Sequence, residues 1–411
     1  MNDLGKEDLV YDWNDPDGTS FKPAKPLQFD DETLRDGLQG PSVKDPPIAD
    51  KIEILHSMDE IGITTAALGL PGAGPRAVAD VTRLAQEIVN GKLSIQANCA
   101  ARTMEADILP IVEISRRVGF PIEACTFIGS SPIRQYAENW DLDFLLRQTE
   151  QAVKFAVDND LPVMYVTEDT IRSKPEDLRK LYTSAIECGA KRICICDTVG
   201  HATPMGVRNL VSFVGQIVRE SGVEVEMDWH GHRDRGFALP NTFAAIEAGV
   251  TRVHGCAIGV GERVGNTPME LILANCKLKG WISTDLTNLK DYCEKVSQAL
   301  GVAIPRNYPV IGGDAFRTGT GVHAAAIMKA EKKGDAWLVD NVYSGVPAHW
   351  FGGSQVIEVG PMSGVSNVVH WLKKRDLEPK TEWVEAIFNQ AKASNRLLTD
   401  EEISHIIGID G

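Results

Sequence analysis

Short apolar segments alternate with longer amphipathic segments along the chain from about residue 27. Apolar runs rich in β-branched residues are typical of buried strands, whereas apolar residues recurring every three or four positions are typical of helices. The runs predict eight strands, near Leu27–Asp31, Thr64–Gly69, Leu93–Asn98, Ile122–Phe127, Pro162–Thr167, Arg192–Asp197, Val223–Trp229 and Arg252–Ala257. The amphipathic segments predict helices such as Ala49–Ile61, Pro75–Asn90, Leu142–Asn159, Pro175–Cys188, Pro204–Ser221 and Gly236–Ala248.

Eight strand–helix units at this regular spacing predict an α/β fold, a (β/α)8 TIM barrel. A doubly wound open sheet is the alternative. No G-x-G-x-x-G sequence follows the first strand, which weakens the dinucleotide-binding form of that alternative.

The pattern also predicts three parts of the chain. Residues 1–26 form an N-terminal extension, residues 27–285 the barrel, and residues 286–411 a smaller, mainly helical C-terminal region. Amphipathic segments at Asp285–Leu300 and Glu382–Leu398 are the basis for the last part.

Composition narrows the function. The 411 residues carry a net charge of −15, which argues against binding to a nucleic-acid backbone. No apolar run approaches the length of a membrane span, and the polar N-terminus does not resemble a signal peptide. The eight cysteines form no C-x-x-C pair, so we expect reduced, buried thiols and a cytoplasmic protein.

In a barrel enzyme the active site lies at the carboxyl ends of the strands. Charged and imidazole side chains follow several of the predicted strands at these ends. The most informative group is His230-Gly231-His232 at the end of the seventh strand. Residues i and i+2 of a strand point to the same side, so both imidazoles can reach one ion. With a carboxylate and an amide oxygen they would suit Mg²⁺, Mn²⁺, Zn²⁺ or Co²⁺. Two histidines with ordinary hydrogen bonds are the alternative.

Four motifs occur in order along the chain: Thr33-Leu34-Arg35-Asp36-Gly37-x-Gln39, Asp197-Thr198-Val199-Gly200, His230-x-His232 and Gly261-Glu262-Arg263-x-Gly265-Asn266. Together they resemble the acyl-CoA Claisen-condensing and lyase barrels, the family of 2-isopropylmalate, homocitrate and citramalate synthases and hydroxymethylglutaryl-CoA lyase. The resemblance continues beyond the barrel in the segments around Gly312-Gly313, His323 and Tyr343.

This resemblance implies a role for particular residues. The divalent-metal ligands would be Asp36, His230, His232 and Asn266. Arg35 would steady the keto oxygen of a 2-oxo acid, and Thr198 would contact its carboxylate. Glu168 would lie near the acetyl group of acetyl-CoA, while His323 and Tyr343 would act in its deprotonation.

Each role has a structural alternative. Arg35 could pair only with Asp36 or Glu32, and Thr198 could cap a helix. His323 could be a loop histidine and Tyr343 a packed aromatic. Glu262 with Arg263 could brace their loop. The remaining histidines are expected to be ordinary; they are His56, His201, His254, His349, His370 and His405.

Within the family, several residues favour a synthase. The lyases carry a cysteine in the loop after the last strand, which is absent from residues 258–266. Asp36 with Asn266 resembles the isopropylmalate and citramalate branch. Two departures favour homocitrate synthase or leave the substrate open: Arg134 follows the fourth strand, where it would suit a distal carboxylate, and Ala67 stands where the family usually has glutamate.

The resulting expectation is an acyltransferase that condenses acetyl-CoA with a 2-oxo acid, namely 2-isopropylmalate synthase acting on 2-oxoisovalerate in leucine biosynthesis. Homocitrate and citramalate synthase are the alternatives. The expected substrate-binding residues are Arg35, Thr198 and Arg134. A catalytically silent barrel acting as a binding or regulatory subunit is an alternative of another class. The resemblance further implies a homodimer, and residues 286–411 leave no room for a leucine-binding regulatory domain.

Overall fold

A computed structural model describes residues 9–409, which fall into two compact units. The first unit extends to Ser283, and the second begins at Thr284. Among the described residues, none of the helices is long and apolar enough to cross a membrane.

The first unit is a closed barrel of eight parallel strands, which confirms the predicted fold class. The strands are β1 (Gln28–Asp31), β2 (Thr65–Ala67), β3 (Gln96–Arg102), β4 (Ile122–Gly129), β5 (Val163–Glu168), β6 (Arg192–Asp197), β7 (Glu226–Gly231) and β8 (Arg252–Gly255). Each strand pairs with its neighbour in the sequence, and β1 closes the barrel on β8 with Asp30 opposite His254.

Two strand predictions are shifted along the sequence. Residues Leu93 to Ile95 were expected in β3, but the backbone N–H of Leu93 bonds to Ile88 O in the turn that ends the preceding helix. The seventh strand begins at Glu226 rather than Val223. The helix before it ends just before Gly222, whose backbone is left-handed, and the chain turns there before the strand begins.

Helices surround the barrel between its strands. They are α1 (Ile48–Glu60), α2 (Pro75–Asn90), α3 (Glu105–Val118), α4 (Pro132–Glu138), α5 (Leu142–Asp158), α6 (Pro175–Glu187), α7 (Pro204–Ser221), α8 (Ala238–Glu247) and α9 (Met269–Leu278). Four of them begin with proline, whose missing N–H is not needed in the first turn. Asp141 and Thr203 cap α5 and α7 by accepting backbone N–H groups.

Alternation along the strands decides which side chains enter the barrel. Polar side chains at alternating positions of β1, β7 and β8 are buried, namely Asp30, Asp228, His230, Arg252 and His254. The barrel interior is therefore charged on the side of these strands, and the charges continue to the carboxyl ends of the strands.

The second unit is built mainly from helices, with one short parallel strand pair. Its elements are α10 (Leu289–Leu300), β9 (Arg317–Thr318), α11 (Gly321–Lys332), α12 (Ala336–Asn341), β10 (Val356–Ile357), α13 (Val365–Lys373), α14 (Thr381–Ala393) and α15 (Asp400–Ile406). Its core contains Val368, Leu372, Ile387 and Ile403. Helix α14 ends before Leu398, whose N–H bonds to Val359 O outside any helix.

Candidate metal centre and substrate cavity

One carboxylate and two imidazoles converge where β1 and β7 end. Asp36 lies in the turn after β1, and His230 and His232 lie at the end of β7 on one side of the strand. The Nε2 atoms of His230 and His232 are 3.7 and 3.4 Å from Asp36 Oδ2. All three side chains are buried, and their ligand atoms lie close enough together to hold one cation.

Asn266 lies beside this group, because His232 forms an isolated antiparallel bridge with it. Its side-chain N–H₂ donates to Asp36 Oδ2 at 2.9 Å and to Val260 O at 3.1 Å. The buried Oδ1 atom has no hydrogen-bond partner among the described residues. A buried acceptor without a partner fits a ligand that binds there.

Two glycines shape the loop that carries Asn266. A Cβ on Gly261 would lie 2.2 Å from Asn266 Nδ2, and one on Gly265 would lie 1.8 Å from Gly259 O. Both glycines also have positive φ. The spacing of the Gly261–Asn266 motif is therefore required by the close approach of this loop.

Arg35 stands next to the same carboxylate. Its guanidinium pairs with Glu32, and its Nη1 lies 3.8 Å from Asp36 Oδ1. The ion pair expected as the structural alternative is thus present. The side chain also lines the cavity described below, so the pairing leaves Arg35 within reach of a small ligand.

Glu32 is a part of the site that the sequence motifs did not identify. Its Oε2 accepts a hydrogen bond from His230 Nδ1 at 2.6 Å. Burial favours the neutral acid, but Arg35, His230 and His254 outweigh burial and hold the pKa of the Glu32 carboxyl well below its usual range.

The two imidazoles of the group differ in their electrostatics. Burial opposes protonation of His230, but contact with Glu32 outweighs burial and raises the pKa of His230. Burial and the neighbouring His230 lower the pKa of His232 to about 4. His232 is therefore held neutral, the form in which an imidazole binds a metal.

A charged layer lies deeper in the barrel. His254, which we expected to be an ordinary histidine, approaches Asp228 Oδ2 at 2.9 Å and Asp30 Oδ2 at 3.6 Å. Burial works against its charge, but Asp30 and Glu32 raise the pKa of His254 to about 10. The sequence feature that could have indicated its position is the alternation of Arg252, His254 and Cys256, which places these side chains on one face of a strand.

The barrel mouth holds a cavity of about 230 Å³. Arg35, Asp36, His230 and His232 line it together with further residues at the strand ends. Part of its wall is apolar and rich in sulfur, and the residues Cys125, Met164, Cys194 and Cys196 pack there as one cluster. All eight cysteines are free thiols, and Cys188 alone is not buried.

Thr198 and Glu168 also line this cavity. Thr198 Oγ1 accepts the backbone N–H of Asp169 at 2.8 Å, whereas Thr203 caps the following helix. Helix capping is therefore not the role of Thr198. Burial raises the pKa of the Glu168 carboxyl, with Arg134 acting in the opposite direction.

Arg134 lies in α4 beside the cavity rather than in its wall. It forms an ion pair with Glu138 at 3.1 Å and lies 5.7 Å from the centre of the Trp140 ring. With Phe127 and Glu168 it lines a neighbouring pocket, and these two residues also line the first cavity.

The motif Gly261–Asn266 also holds neighbouring segments of the site together. Arg263 donates to both carboxylate oxygens of Asp234 at 2.7 and 2.9 Å, and to Thr198 O at 2.7 Å. It thereby ties the loop after β8 to the segments after β6 and β7.

His323 and Tyr343 belong to the second unit. Their rings stack with centroids 4.1 Å apart, and both residues are exposed. Their roles in deprotonation stay predictions from the sequence.

Comparison with known proteins gives the following similarities. A family model described as HMGL-like matches residues 26–296. The chain is 30% identical to homocitrate synthase AksA of Methanopyrus kandleri, over 92% of this chain and 90% of that protein. It is 31% identical to a 2-isopropylmalate synthase of Lactococcus lactis, over 74% of this chain but 59% of that protein.

Solved structures resemble the barrel. The HMG-CoA lyase of Bacillus subtilis superposes with a TM-score of 0.58 at 20% identity, covering 70% of this chain and 98% of that one. An HMG-CoA lyase of Acinetobacter baumannii, solved with coenzyme A and 3-methylmalate, gives a TM-score of 0.57 at 20% identity, covering 69% and 93%. At 20% identity these similarities show a shared fold and no more.

Proposed function

The chain belongs to the HMGL-like family, and on that premise we propose that it is an acyltransferase condensing acetyl-CoA with a 2-oxo acid. The observation that carries the proposal is the convergence of Asp36, His230 and His232 beside the half-buried Arg35 in a small cavity. The finer proposal is 2-isopropylmalate synthase, with 2-oxoisovalerate as the 2-oxo acid.

The residues at the barrel mouth suit a divalent cation. Asp36, His230 and His232 would hold it, with the unpartnered Oδ1 of Asn266 as a fourth donor. This mixture of oxygen and imidazole donors is compatible with Mg²⁺, Mn²⁺, Zn²⁺ or Co²⁺. When bound, such an ion supplies a Lewis acid that polarises a carbonyl and offsets negative charge.

The protein groups around the cation can orient the 2-oxo acid. Arg35 would donate from its guanidinium to the keto oxygen as negative charge develops on it. Thr198 accepts a backbone N–H at its oxygen, so its own hydroxyl hydrogen is available for the substrate carboxylate. These two donors would fix which face of the carbonyl is attacked.

The condensation also needs a base for the methyl group of acetyl-CoA. His323 and Tyr343 are our candidates for this deprotonation, with Glu168 near the acetyl group. The methyl carbon, having lost its proton, attacks the keto carbon and forms the new C–C bond. The π pair of the carbonyl moves to its oxygen, which then takes up a proton and becomes a hydroxyl group. Water then hydrolyses the thioester, which releases the free thiol of CoA and leaves a carboxylate.

Three observations bear on the identity of the 2-oxo acid. The sulfur-rich wall at Cys125, Met164, Cys194 and Cys196 supports a substrate with an apolar side chain, such as 2-oxoisovalerate or pyruvate. Arg134 favours homocitrate synthase as the second candidate, since the pocket it lines adjoins the cavity across Glu168. The match to homocitrate synthase AksA over most of both chains also supports that candidate.

The test of this assignment is kcat/KM for CoA release with 2-oxoisovalerate, pyruvate and 2-oxoglutarate. We expect 2-oxoisovalerate to give the highest value and Arg134→Ala to leave it unchanged. A preference for 2-oxoglutarate that Arg134→Ala abolishes would replace the assignment with homocitrate synthase. The expected homodimer and cytoplasmic location stay predictions, and the first is checked by sedimentation.

A further inference from the structure

The carboxylate of Glu32 is shared by several neighbours in the cavity. Its side chain is 4% exposed and follows directly after β1. Oε2 accepts the short hydrogen bond from His230 Nδ1 at 2.6 Å. Oε1 pairs with the Arg35 guanidinium and lies 3.5 Å from His254 Nδ1. No other carboxylate among the described residues contacts both His230 Nδ1 and Arg35.

The contact with Glu32 selects the orientation and tautomer of His230. A carboxylate only accepts hydrogen bonds, so it requires the proton on Nδ1. The lone pair is then on Nε2, the atom that faces Asp36 at 3.7 Å. A carboxylate behind a metal-binding imidazole fixes the ring and makes it a stronger donor.

The same carboxylate holds Arg35 from the other side. The backbone N–H of Arg35 donates to Glu32 O at 3.0 Å, and its guanidinium pairs with the Glu32 side chain. The guanidinium therefore lies between the carboxylates of Glu32 and Asp36. Both anchors together leave it little freedom to swing away from the cavity.

From these contacts we propose that Glu32 is a positioning residue, which aims His230 Nε2 at the cation and Arg35 at the keto oxygen. The inference rests on the proposed function, because that function supplies the cation and the 2-oxo acid. It assigns a role to a residue outside the motifs of the family.

Glu32 could instead be a ligand itself, because its carboxylate, His230 and His254 also converge. Its contacts argue against this. Oε1 touches the guanidinium of Arg35, and Oε2 is engaged by His230. A cation at that position would have to displace both of these partners, whereas Asp36 is 3.8 Å from Arg35 and the group around it has an oxygen donor available from Asn266.

The test measures Co²⁺ affinity by calorimetry on metal-free protein, together with the visible absorption of the Co²⁺ complex. Glu32→Gln keeps the shape of the side chain and removes its charge. We expect it to weaken Co²⁺ binding by about 10- to 100-fold, as loss of a supporting carboxylate does at other sites, and to alter the Co²⁺ spectrum. Glu32→Asp, which keeps the charge on a shorter chain, should weaken binding less.

The matched control is Glu87→Gln. Glu87 also bonds a histidine, His56 Nε2 at 2.9 Å, but on the outer face of the helices α1 and α2. We expect its Co²⁺ affinity and spectrum to equal those of the wild type. His230→Ala serves as the reference for loss of a ligand, and circular dichroism checks that every variant is folded.

The outcomes separate the inference from the proposed function. Wild-type affinity in folded Glu32→Gln, with loss in His230→Ala, would overturn the positioning role alone. A loss in Glu32→Gln as large as that in His230→Ala would make Glu32 a ligand and would also overturn it. If His230→Ala itself bound Co²⁺ normally, the proposed metal centre would be wrong. Should Glu32→Gln not fold, an unchanged Glu32→Asp affinity would contradict the inference.

Discussion

Replacing Arg252 by methionine should destabilise the barrel strongly. Arg252 is 2% exposed in the interior. It donates to Asp228 Oδ2 at 2.6 Å and to Glu123 Oε2 at 2.5 Å. Methionine has a similar length and no charge, so the substitution leaves the two carboxylates without this partner.

The size of the destabilisation depends on the partners that the two carboxylates keep. Removing one partner of a buried ion pair costs about 3–5 kcal/mol, because the other charge stays buried without compensation. Here Asp228 would retain Arg192 at 2.6 Å and His254 at 2.9 Å. We therefore expect the low end of that range, a decrease of about 3 kcal/mol in the free energy of unfolding.

The assay is equilibrium unfolding in urea, followed by circular dichroism and by tryptophan fluorescence. Trp229 lies fully buried in β7 and reports on the barrel. The matched control is Arg208→Met, because Arg208 forms an ion pair of the same 2.6 Å length with Glu247 on the surface. An exposed pair of this kind contributes less than about 1 kcal/mol.

Equal decreases in the free energy of unfolding for Arg252→Met and Arg208→Met would contradict this expectation. Greater stability of Arg252→Met than of the wild type would also contradict it. In that case the charged layer would be replaceable by apolar packing, as buried ion pairs sometimes are.

Three further predictions concern the site and its support. Arg35→Lys should lower kcat by about 100-fold, because an ammonium cannot reach all the positions that the guanidinium occupies. The Co²⁺ affinity should be unchanged. A normal kcat would contradict the role of Arg35 at the keto oxygen. Gly261→Ala should displace Asn266 and weaken Co²⁺ binding, since the new Cβ would lie 2.2 Å from Asn266 Nδ2. The control is Gly313→Ala, because the space around Gly313 is open. Equal Co²⁺ affinities of the two variants would contradict this prediction. The folded-state pKa of His254 is about 10, against 6.5 for a free imidazole, so its stabilising effect is complete below pH 6.5 and is lost as the pH rises towards 10. Urea midpoints across this range should fall, and the fall should be smaller in His254→Gln; identical slopes would contradict the assignment.

The barrel and the centre of the site could be predicted from local sequence. The eight apolar runs have the length and composition of buried strands, and each of the eight overlaps a strand of the structure. His230 and His232 were placed together because alternation along one strand is a local property.

The charged interior could not be predicted in the same way. His254 meets Asp30 only because β8 pairs with β1 across the closure of the barrel, more than two hundred residues away in sequence. Register between distant strands is a tertiary property, so an isolated histidine in an apolar run gave no indication of three carboxylates around it.

Glu32 was missed for a related reason. It precedes the recognised motif and was considered only as a partner for Arg35. Its second contact, with His230 Nδ1, joins residues 198 positions apart and depends on the turn after β1 bending over the end of β7. A role that comes from supporting another residue becomes visible only when the contact is known.

The most direct test of the account is the stoichiometry of the condensation. Metal-loaded protein is incubated with acetyl-CoA and 2-oxoisovalerate, pyruvate or 2-oxoglutarate, and the free thiol and the remaining 2-oxo acid are both measured. We expect one thiol to appear for each 2-oxo acid consumed, chelation and Asp36→Asn to abolish both changes, and Mn²⁺ to restore the chelated enzyme. Absence of turnover with all three acids, or turnover that survives both chelation and Asp36→Asn, would contradict the proposed condensation.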